Sequence, residues 1–428
     1  MPLTIPGFLQ SRLARPVAVF GAGVSGEALR GLLGALGAQV TVYDAHGTEY
    51  TSAAAERHAL VVFSPGFVPA HPWIRIARAA GCLCLGEVDF ASLCWHGRIV
   101  AVTGTNGKTT LTEFLAHALR GIGWKALPTG NIGRSFSQLV LDESGGASET
   151  IAVCEVSSFQ AETLRYFHAE AALWTNFAED HLERHEGLGA YFSAKAELAA
   201  RSDAVFAGSS VRAWIQAHPM APEVEARFVW VGTEGRPADP RLSGSPFADY
   251  PQRENFLLAA AGGRAARLDE AALLAAARTF RLGRHRLARV EEIEGVTFWN
   301  DSKATNFHAV EAALARFPAP VLLIAGGKAK GGGLDAFVGR IARRVRHAFL
   351  IGETAPALAS ACAAAGVAHT ACPSFADAVR LAAEAGAPGD HVLLSPGFAS
   401  FDMFHNYEAR GDQFEKMVRE RRTAVHAR

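Results

Sequence analysis

Three successive α/β segments built on mostly parallel sheets are what this sequence predicts, and three observations predict it. Short apolar strands alternate with helical stretches along nearly the whole chain. Strands twice end in a glycine turn that opens a helix, at "VFGAGVSGEAL" and at "VTGTNGKTTL". Polar residues gather just past the ends of apolar runs, where open parallel sheets carry ligands.

From Pro16, "PVAVFGAGVSGEALRGLLGALGAQVTVYD" reads as strand, glycine turn, helix and strand, a βαβ unit closing at Asp44. Its "GAGVSG", Gly21 to Gly26, fits the G-x-G-x-x-G dinucleotide fingerprint. Taken alone it suggests an NAD-dependent dehydrogenase. A second phosphate loop further on points instead to two different phosphorylated ligands. The strand-like "LVVFSPG" and "CLCLGEV" then lead to a boundary near Gly97.

The next segment opens on "HGRIVAVTG". Gly104, Thr105, Asn106, Gly107, Lys108, Thr109 and Thr110 join a strand to a helix, so backbone N–H groups and the helix dipole converge on one spot. Lys108 is expected to reach the β/γ-phosphates and Thr109 to place its hydroxyl on magnesium. The strict G-x-x-x-x-G-K-[ST] pattern fails, because two residues rather than four separate Gly104 from Gly107. Leu111, Phe114, Leu115, Leu119 and Ile122 fall on one helical face, which ends at Gly121 and Gly123. Glu155 in "VCEVSSFQ" arrives from a buried strand and is either a magnesium ligand or a paired core glutamate. In "NFAEDHLERH" the residues Asn176, Asp180, His181 and His185 cluster at a strand end. His181 and His185 enclose Leu-Glu-Arg, which breaks the H-E-x-x-H zinc motif. Lys195, by itself, reads as a solvated helix lysine. The proline- and glycine-rich stretch from Ala207 to Arg253 predicts a small irregular or β substructure.

After the alanine-rich helix "DEAALLAAARTF", the run "RLGRHRLARVEEIEGVTFWNDSKATN" marks entry to a third alternation carried by "VLLIAGG", "HAFLIG" and "HVLLSPG". Asp301, Ser302, Lys303 and Thr305 form one polar block after a strand. Ser395, Ser400 and Tyr407 form another, and both point to a cleft. The "KAKGGG" run from Lys328 also fits a flexible linker. The final "GDQFEKMVRERRTAVHAR" predicts an amphipathic helix with a solvated basic tip.

Composition excludes several classes. The 428 residues are 49% hydrophobic and 20% charged, as in ordinary globular proteins, and 42 basic residues balance 42 acidic ones. That balance disfavours nucleic acid or an anionic membrane as partner. No uncharged apolar run approaches the roughly 18 residues of a spanning helix, and the N-terminus lacks a signal-peptide layout, so a cytoplasmic protein without membrane insertion is expected. The six scattered cysteines are expected to be reduced.

Taken in order, "TGTNGKTT", "GNIG", "EVSSFQ", "NDSKATN" and "SPGFASFDMFHNYEARGDQF" resemble the Mur ligase family over nearly the whole chain. The resemblance implies an N-terminal Rossmann-like domain for the UDP-substrate at 1–97, a central P-loop ATPase-like domain at 98–282 and a C-terminal Rossmann-like, amino-acid-binding domain at 283–428. It implies that Gly23, Val24, Ser25 and Asp44 contact the uridine diphosphate. The whole loop from Gly104 to Thr110, with Asn255, Arg286, Asp301 and Lys303, would bind ATP. Asn131, Ser157, Ser158, Thr305, Lys330, Ser400, Phe401 and Tyr407 would contact substrate. Lys108, Glu155, His181 and Lys195 would be catalytic, with Thr109, Glu155, His181 and Lys195 around two Mg2+ sites. Lys195 matches the lysine that family members carbamylate with CO2.

The implied activity is ATP-dependent addition of D-glutamate to UDP-N-acetylmuramoyl-L-alanine through an acyl phosphate, in cytoplasmic peptidoglycan precursor synthesis, by a monomer. The chain departs from the family's pattern at Pro251 and Gln252, which stand for a histidine–asparagine pair, and at Glu183, which stands for Asp. Gly397 and Phe398 replace the commoner alanine–cysteine pair beside the expected glutamate pocket. A related ligase adding L-glutamate or another amino acid is the alternative, and a nucleotide-sugar-binding regulator a more distant one.

Overall fold

The structure is a computed structural model that describes residues 3–232, 237–329 and 332–426. It divides into two compact units, Met1–Phe177 with Gly189–Phe280 and Ala178–Leu188 with Arg281–Arg428. The first carries two sheets and the second carries one.

The first sheet holds β1 (Val17–Phe20), β2 (Val40–Tyr43), β3 (Leu60–Phe63) and β4 (Leu83–Gly86), all parallel in the order β2-β1-β3-β4. Every residue of β1 and β3 is buried, as their unbroken apolar runs require of central parallel strands. The helix Glu87–Ser92 follows β4 and ties it onward with two buried carboxylates. Glu87 Oε1 accepts the Ser137 backbone N–H at 2.7 Å. Asp89 Oδ1 accepts those of Arg165, Tyr166 and Phe167 at 3.0, 2.7 and 2.7 Å. Burial pushes both carboxyls above the usual range, and these backbone donors oppose it.

The second sheet holds β5 (Arg98–Thr103), β6 (Lys125–Gly130), β7 (Thr150–Glu155), β8 (Ala169–Trp174), β9 (Ser202–Ala207) and β10 (Phe228–Trp230), parallel throughout in the order β10-β9-β8-β5-β7-β6. The helix after β5, Lys108–Gly121, buries Leu111, Phe114, Leu115 and Leu119, as the spacing predicts, whereas Ile122, expected on the same face, is the half-buried residue that ends the helix. The stretch from Ala207 to Arg253 is less irregular than its composition suggests. It contains helices Ser209–Ala217 and Pro222–Glu225, the edge strand β10 and a short 3-10 turn Pro240–Leu242. Pro222 and Pro240 open their turns, where a missing N–H leaves no bond unmade, so these prolines start structure there. Phe247 anchors the stretch by packing on Phe114, ring centroids 4.0 Å apart.

The second unit's sheet holds β11 (Ala288–Ile293), β12 (Val296–Asn300), β13 (Val321–Gly326), β14 (Val345–Ile351), β15 (His369–Ala371) and β16 (His391–Leu394), in the order β11-β12-β16-β13-β14-β15. Only β11 is antiparallel, entering by a hairpin whose Glu294 and Gly295 have φ of 51° and 79°. Two positive φ values match the twist of a tight hairpin. The final helix, Tyr407–His426, starts before the expected Gly411, and Asn406 accepts the Ala409 N–H at 2.8 Å near its start. All six cysteines are free. Among the described residues, no helix is long and apolar enough to cross a membrane.

Candidate functional site

In the first unit the site is built around the turn between β5 and the helix Lys108–Gly121. Gly104 has φ of 138°, and a Cβ there would fall 1.9 Å from Thr175 Oγ1. Gly107, at φ 84°, is the N-cap of the helix. A Cβ on it would lie 3.0 Å from the buried Asn255 side chain, which places Asn255 against the loop. The strand end after β8 braces the turn from behind. Asn176 accepts the N–H of Thr105 on its carbonyl at 3.0 Å and that of Asn106 on Oδ1 at 2.9 Å, and Thr175 Oγ1 donates to Asn106 O at 2.6 Å. Lys108 Nζ folds back to donate to Gly104 O and Thr105 O at 3.0 and 2.9 Å. Thr109 and Thr110 occupy the first helical turn.

Lys195 is not the solvated lysine that its helix suggests in isolation. Only 1% exposed, it donates from Nζ to Gly104 O at 2.8 Å and sits 4.8 Å from the centre of the Tyr191 ring. Glu155 ends β7, also buried, and its two oxygens differ. Oε1 accepts from Asn131 Nδ2 at 3.1 Å, whereas Oε2 is buried with no hydrogen-bond partner. The "GNIG" turn is shaped around this carboxylate: Asn131 N donates to Glu155 O at 2.9 Å, and a Cβ on Gly130 would meet that oxygen at 2.1 Å. Oε2 thus lacks the second partner that a paired core glutamate would have. An orphaned buried carboxylate oxygen is unfavourable unless something binds it, and a hard cation fits that requirement. Among the described residues, no three His, Cys, Asp or Glu side chains converge as a preformed metal cage. Ser157 caps the short helix Ser158–Ala161 in a reciprocal box with Gln160, and Ser158 is buried in its first turn.

The first sheet presents the other glycine turn. Gly21 has φ of 96°, and a Cβ on Gly26 would fall 1.8 Å from Gly21 O, so helix and strand touch backbone to backbone. Gly23 caps the helix Val24–Ala35, with Val24 77% exposed and Ser25 beside it. Asp44 accepts the N–H of Ala22 at 2.9 Å and that of His46 at 3.1 Å, bonds that hold its carboxyl below the usual range. Asp44 thus ties the turn after β1 to the end of β2.

The second unit gathers the rest. His181, with φ of 54°, donates its backbone N–H to Asp180 Oδ1 at 2.9 Å, and its ring lies 3.3 Å from Glu183 Oε1. Asp180 Oδ2 accepts from Asn306 Nδ2 at 2.9 Å, while Asn306 Oδ1 caps the helix Phe307–Leu314. A shallow cavity opens there between His181, Thr305, Gly397 and Phe398. Asp301 is buried after β12 and accepts from Leu287 N at 3.0 Å and Ser395 Oγ at 2.9 Å. Burial pushes its pKa up to about 7 against those two donors. Arg286 is half-buried and contributes its charge to Asp301. Lys303 Nζ stands 3.8 Å from the centre of the Tyr407 ring, a cation–π contact. Ser400 is buried and Phe401 is 68% exposed. Lys330 lies outside the described residues.

Sequence reasoning passed over three supporting residues of the second unit, Asn306, His285 and Arg410. His285, at φ 62°, is buried with Nδ1 2.8 Å from Asn300 Nδ2, and burial lowers its pKa. Arg410 is fully buried on the final helix, bonded to carbonyl and hydroxyl oxygens. Desolvation draws its pKa down to about 10, with Asp402 opposing. Arg410 finds Ser302 108 residues away and Asn306 finds Asp180 126 residues away, so no local pattern announces those contacts, although Asn306 as an N-cap before an apolar helix is a local signal.

Residues 102–211 match the Mur ligase middle domain, and residues 285–398 match the family described as Mur ligase, glutamate ligase domain. Over 440 residues the chain is 36% identical to the UDP-N-acetylmuramoylalanine–D-glutamate ligase of Gloeobacter violaceus, covering 94% of this chain and 98% of the relative. It is 40% identical over 452 residues to the enzyme of that name from Frankia casuarinae, covering 95% and 94%. The solved UDP-N-acetylmuramate–alanine ligase of Thermotoga maritima shares the fold, with a TM-score of 0.57 at 15% identity over 95% of this chain and 99% of that one. On this similarity, and on the two matched domains, the chain belongs to the Mur ligase family of ATP-dependent amino-acid ligases, which generally use Mg2+.

Proposed function

We propose that this protein joins D-glutamate to UDP-N-acetylmuramoyl-L-alanine at the expense of ATP, a step of peptidoglycan precursor synthesis. The observation that carries the reading is the clustering of two lysine contacts on one phosphate loop, the half-buried Lys108 and the buried Lys195 both reaching Gly104 O, in a chain whose relatives bear that activity. A terminal carboxylate oxygen of the alanyl substrate attacks the γ-phosphorus of ATP, and ADP leaves. The glutamate amine then attacks the acyl carbon, forming a tetrahedral intermediate that expels phosphate. Lys108 and the helix N-terminus stabilise the negative charge on the transferring phosphoryl group.

Bound magnesium would supply further charge neutralisation, with Thr109, Glu155 and His181 as its holders, in two sites. The unpartnered Glu155 Oε2 supports that assignment. A carbamate on Lys195 would turn a buried cation into an anion able to serve the same metal. Gly23, Val24, Ser25 and Asp44 take the uridine diphosphate, together with Asn131, Ser157 and Ser158 on the substrate. Asn255, Arg286, Asp301 and Lys303 take the nucleotide, and Thr305, Lys330, Ser400, Phe401 and Tyr407 the amino acid. We assign these roles to three domains, 1–97, 98–282 and 283–428, of a cytoplasmic monomer.

A second reading, L-glutamate as the amino acid, is favoured by one feature. Phe398 is 4% exposed, packs edge-on against Phe307 with ring centroids 5.3 Å apart, and lines the cavity beside Thr305 where the family's commoner residue is small. Incubating the UDP-linked substrate with ATP and each glutamate enantiomer, and weighing the products, separates the two. The main reading expects phosphate release only with both substrates present, and label from an 18O-carboxylate appearing in that phosphate. Unlabelled phosphate, or turnover without an amino acid, would overturn it.

A further inference from the structure

Three loops at one end of the second unit's sheet are tied to a single side chain. The loop after β12 runs through Ser302 and Lys303, the loop after β16 through Phe398 and Ser400, and the turn after β13 through Gly327 and Lys328. Arg410, on the first turn of the final helix, donates from Nε to Ser302 Oγ at 3.0 Å and from Nη2 to Ser302 O at 2.9 Å. Its Nη1 and Nη2 both reach Phe398 O at 3.2 Å. The neighbouring Ala399 O accepts the Lys328 backbone N–H at 2.9 Å, which carries the tie to the third loop. Ser302 Oγ in turn donates to Tyr407 O at 2.8 Å, closing the ring at the helix start that presents the Tyr407 face to Lys303.

This arrangement is unusual for arginine. A fully buried guanidinium is normally matched by a carboxylate, because desolvating a cation is expensive. Here every direct acceptor is a carbonyl or a hydroxyl, and four hydrogen bonds from a rigid planar fork run to two loops. These loops otherwise meet at the strand ends, through Ser395 Oγ on Asp301 at 2.9 Å and Gly397 N on Ala304 O at 2.9 Å, so the fork braces their far sides, at Ser302 and Phe398. A purely structural site is served as well by an apolar residue of similar volume. A fork that reads the carbonyl positions of two loops fixes their spacing.

We propose that Arg410 is a positioning residue: its fork sets the separation of the Ser302–Lys303 and Phe398–Ser400 loops, and so the register in which unit two presents Lys303, Ser400 and Tyr407 to nucleotide and amino acid. The inference rests on the reading of these loops as ligand-binding. Lysine at 410 keeps the charge and loses the fork. In the full-length R410K protein, the KM values for ATP and glutamate rise about tenfold, equal to about 1.4 kcal/mol each. The KM for the UDP-linked substrate, held by the first unit, changes by less than about twofold. The S302A variant, which removes one acceptor and leaves the cation, moves the same two KM values in the same direction by a smaller factor.

Unchanged KM values in R410K would overturn the proposal. So would an equal loss in all three substrates that tracks a falling folded fraction, since that is what a merely structural residue gives. Backbone hydrogen exchange of ligand-free R410K supplies the arm that does not depend on the activity. Faster exchange confined to residues 302–306 and 398–403 supports the positioning role even if the assigned reaction fails. Protection in those loops equal to wild type overturns it even if the reaction holds.

Discussion

Lys195 Nζ lies 2.8 Å from the carbonyl oxygen of Gly104, so a lysine from a distant helix closes the back of the phosphate loop. At 1% exposure its amine has little access to bulk water. Replacing it with alanine is expected to lower ligation at least about a hundredfold, the scale on which single charge-stabilising groups act. If Lys195 works as a carbamate, added acetate or formate restores part of the rate in K195A, because a small carboxylate fits the vacated space and carries the same charge. Wild-type turnover by K195A, measured as phosphate release, would remove Lys195 from the mechanism.

Glu155 yields a prediction in which stability and activity part company. Its Oε2 is buried without a partner, so the ligand-free fold carries an uncompensated oxygen. Glutamine keeps the acceptor for Asn131 Nδ2 and removes the charge. E155Q is therefore expected to melt no lower than wild type while ligation falls by about a hundredfold or more. Thermal melts beside phosphate-release assays check this. A lowered melting temperature with activity lost in proportion would mean that Glu155 serves the core alone.

How far the chain could be read without coordinates depended on the range of each interaction. Glycine turns, strand ends and the face of the helix Lys108–Gly121 are local, and they read correctly. Lys195 misread in isolation because its partner Gly104 comes from another strand end, and nothing in "YFSAKAEL" reports burial. Arg410 escaped for the same reason, since its acceptor Ser302 is 108 residues away. The stretch after Ala207 misled because Pro222 and Pro240 look like breakers in composition, yet occupy the one helical position where proline fits.

Gly26 tests the first glycine turn by size alone. A methyl at this position would sit 1.8 Å from Gly21 O and 2.8 Å from Gly21 C, and these backbone atoms cannot swing aside as a flexible side chain would. G26A is expected to destabilise the protein by about 1–3 kcal/mol, the usual range for overpacking. By spreading the turn it also raises the KM for the UDP-linked substrate more than that for ATP. Denaturant titration and the two KM values check this, and an unaltered KM for the UDP-linked substrate would detach the turn from that ligand.

Asp301 links stability to pH, and the sign follows from burial. Its carboxyl is raised to about 7 from 3.8 because desolvation outweighs the hydrogen bonds from Ser395 and Leu287 and the charge of Arg286. The folded protein therefore holds this proton where the unfolded chain has lost it, so Asp301's contribution to stability declines as pH rises from about 4 to about 7 and is flat above. The full span is at most about 4 kcal/mol. D301N removes the titration and keeps an acceptor for the Leu287 N–H. Wild-type stability minus that of D301N, from denaturant curves between pH 4 and 8, should fall across this window, since other titrating groups cancel in the difference. A difference that stays flat across that window would mean that the two donors dominate and that Asp301 is ionised throughout. In that case the polar block after β12 would offer the nucleotide a fixed negative charge, and ATP affinity would show no dependence on this group between pH 6 and 8.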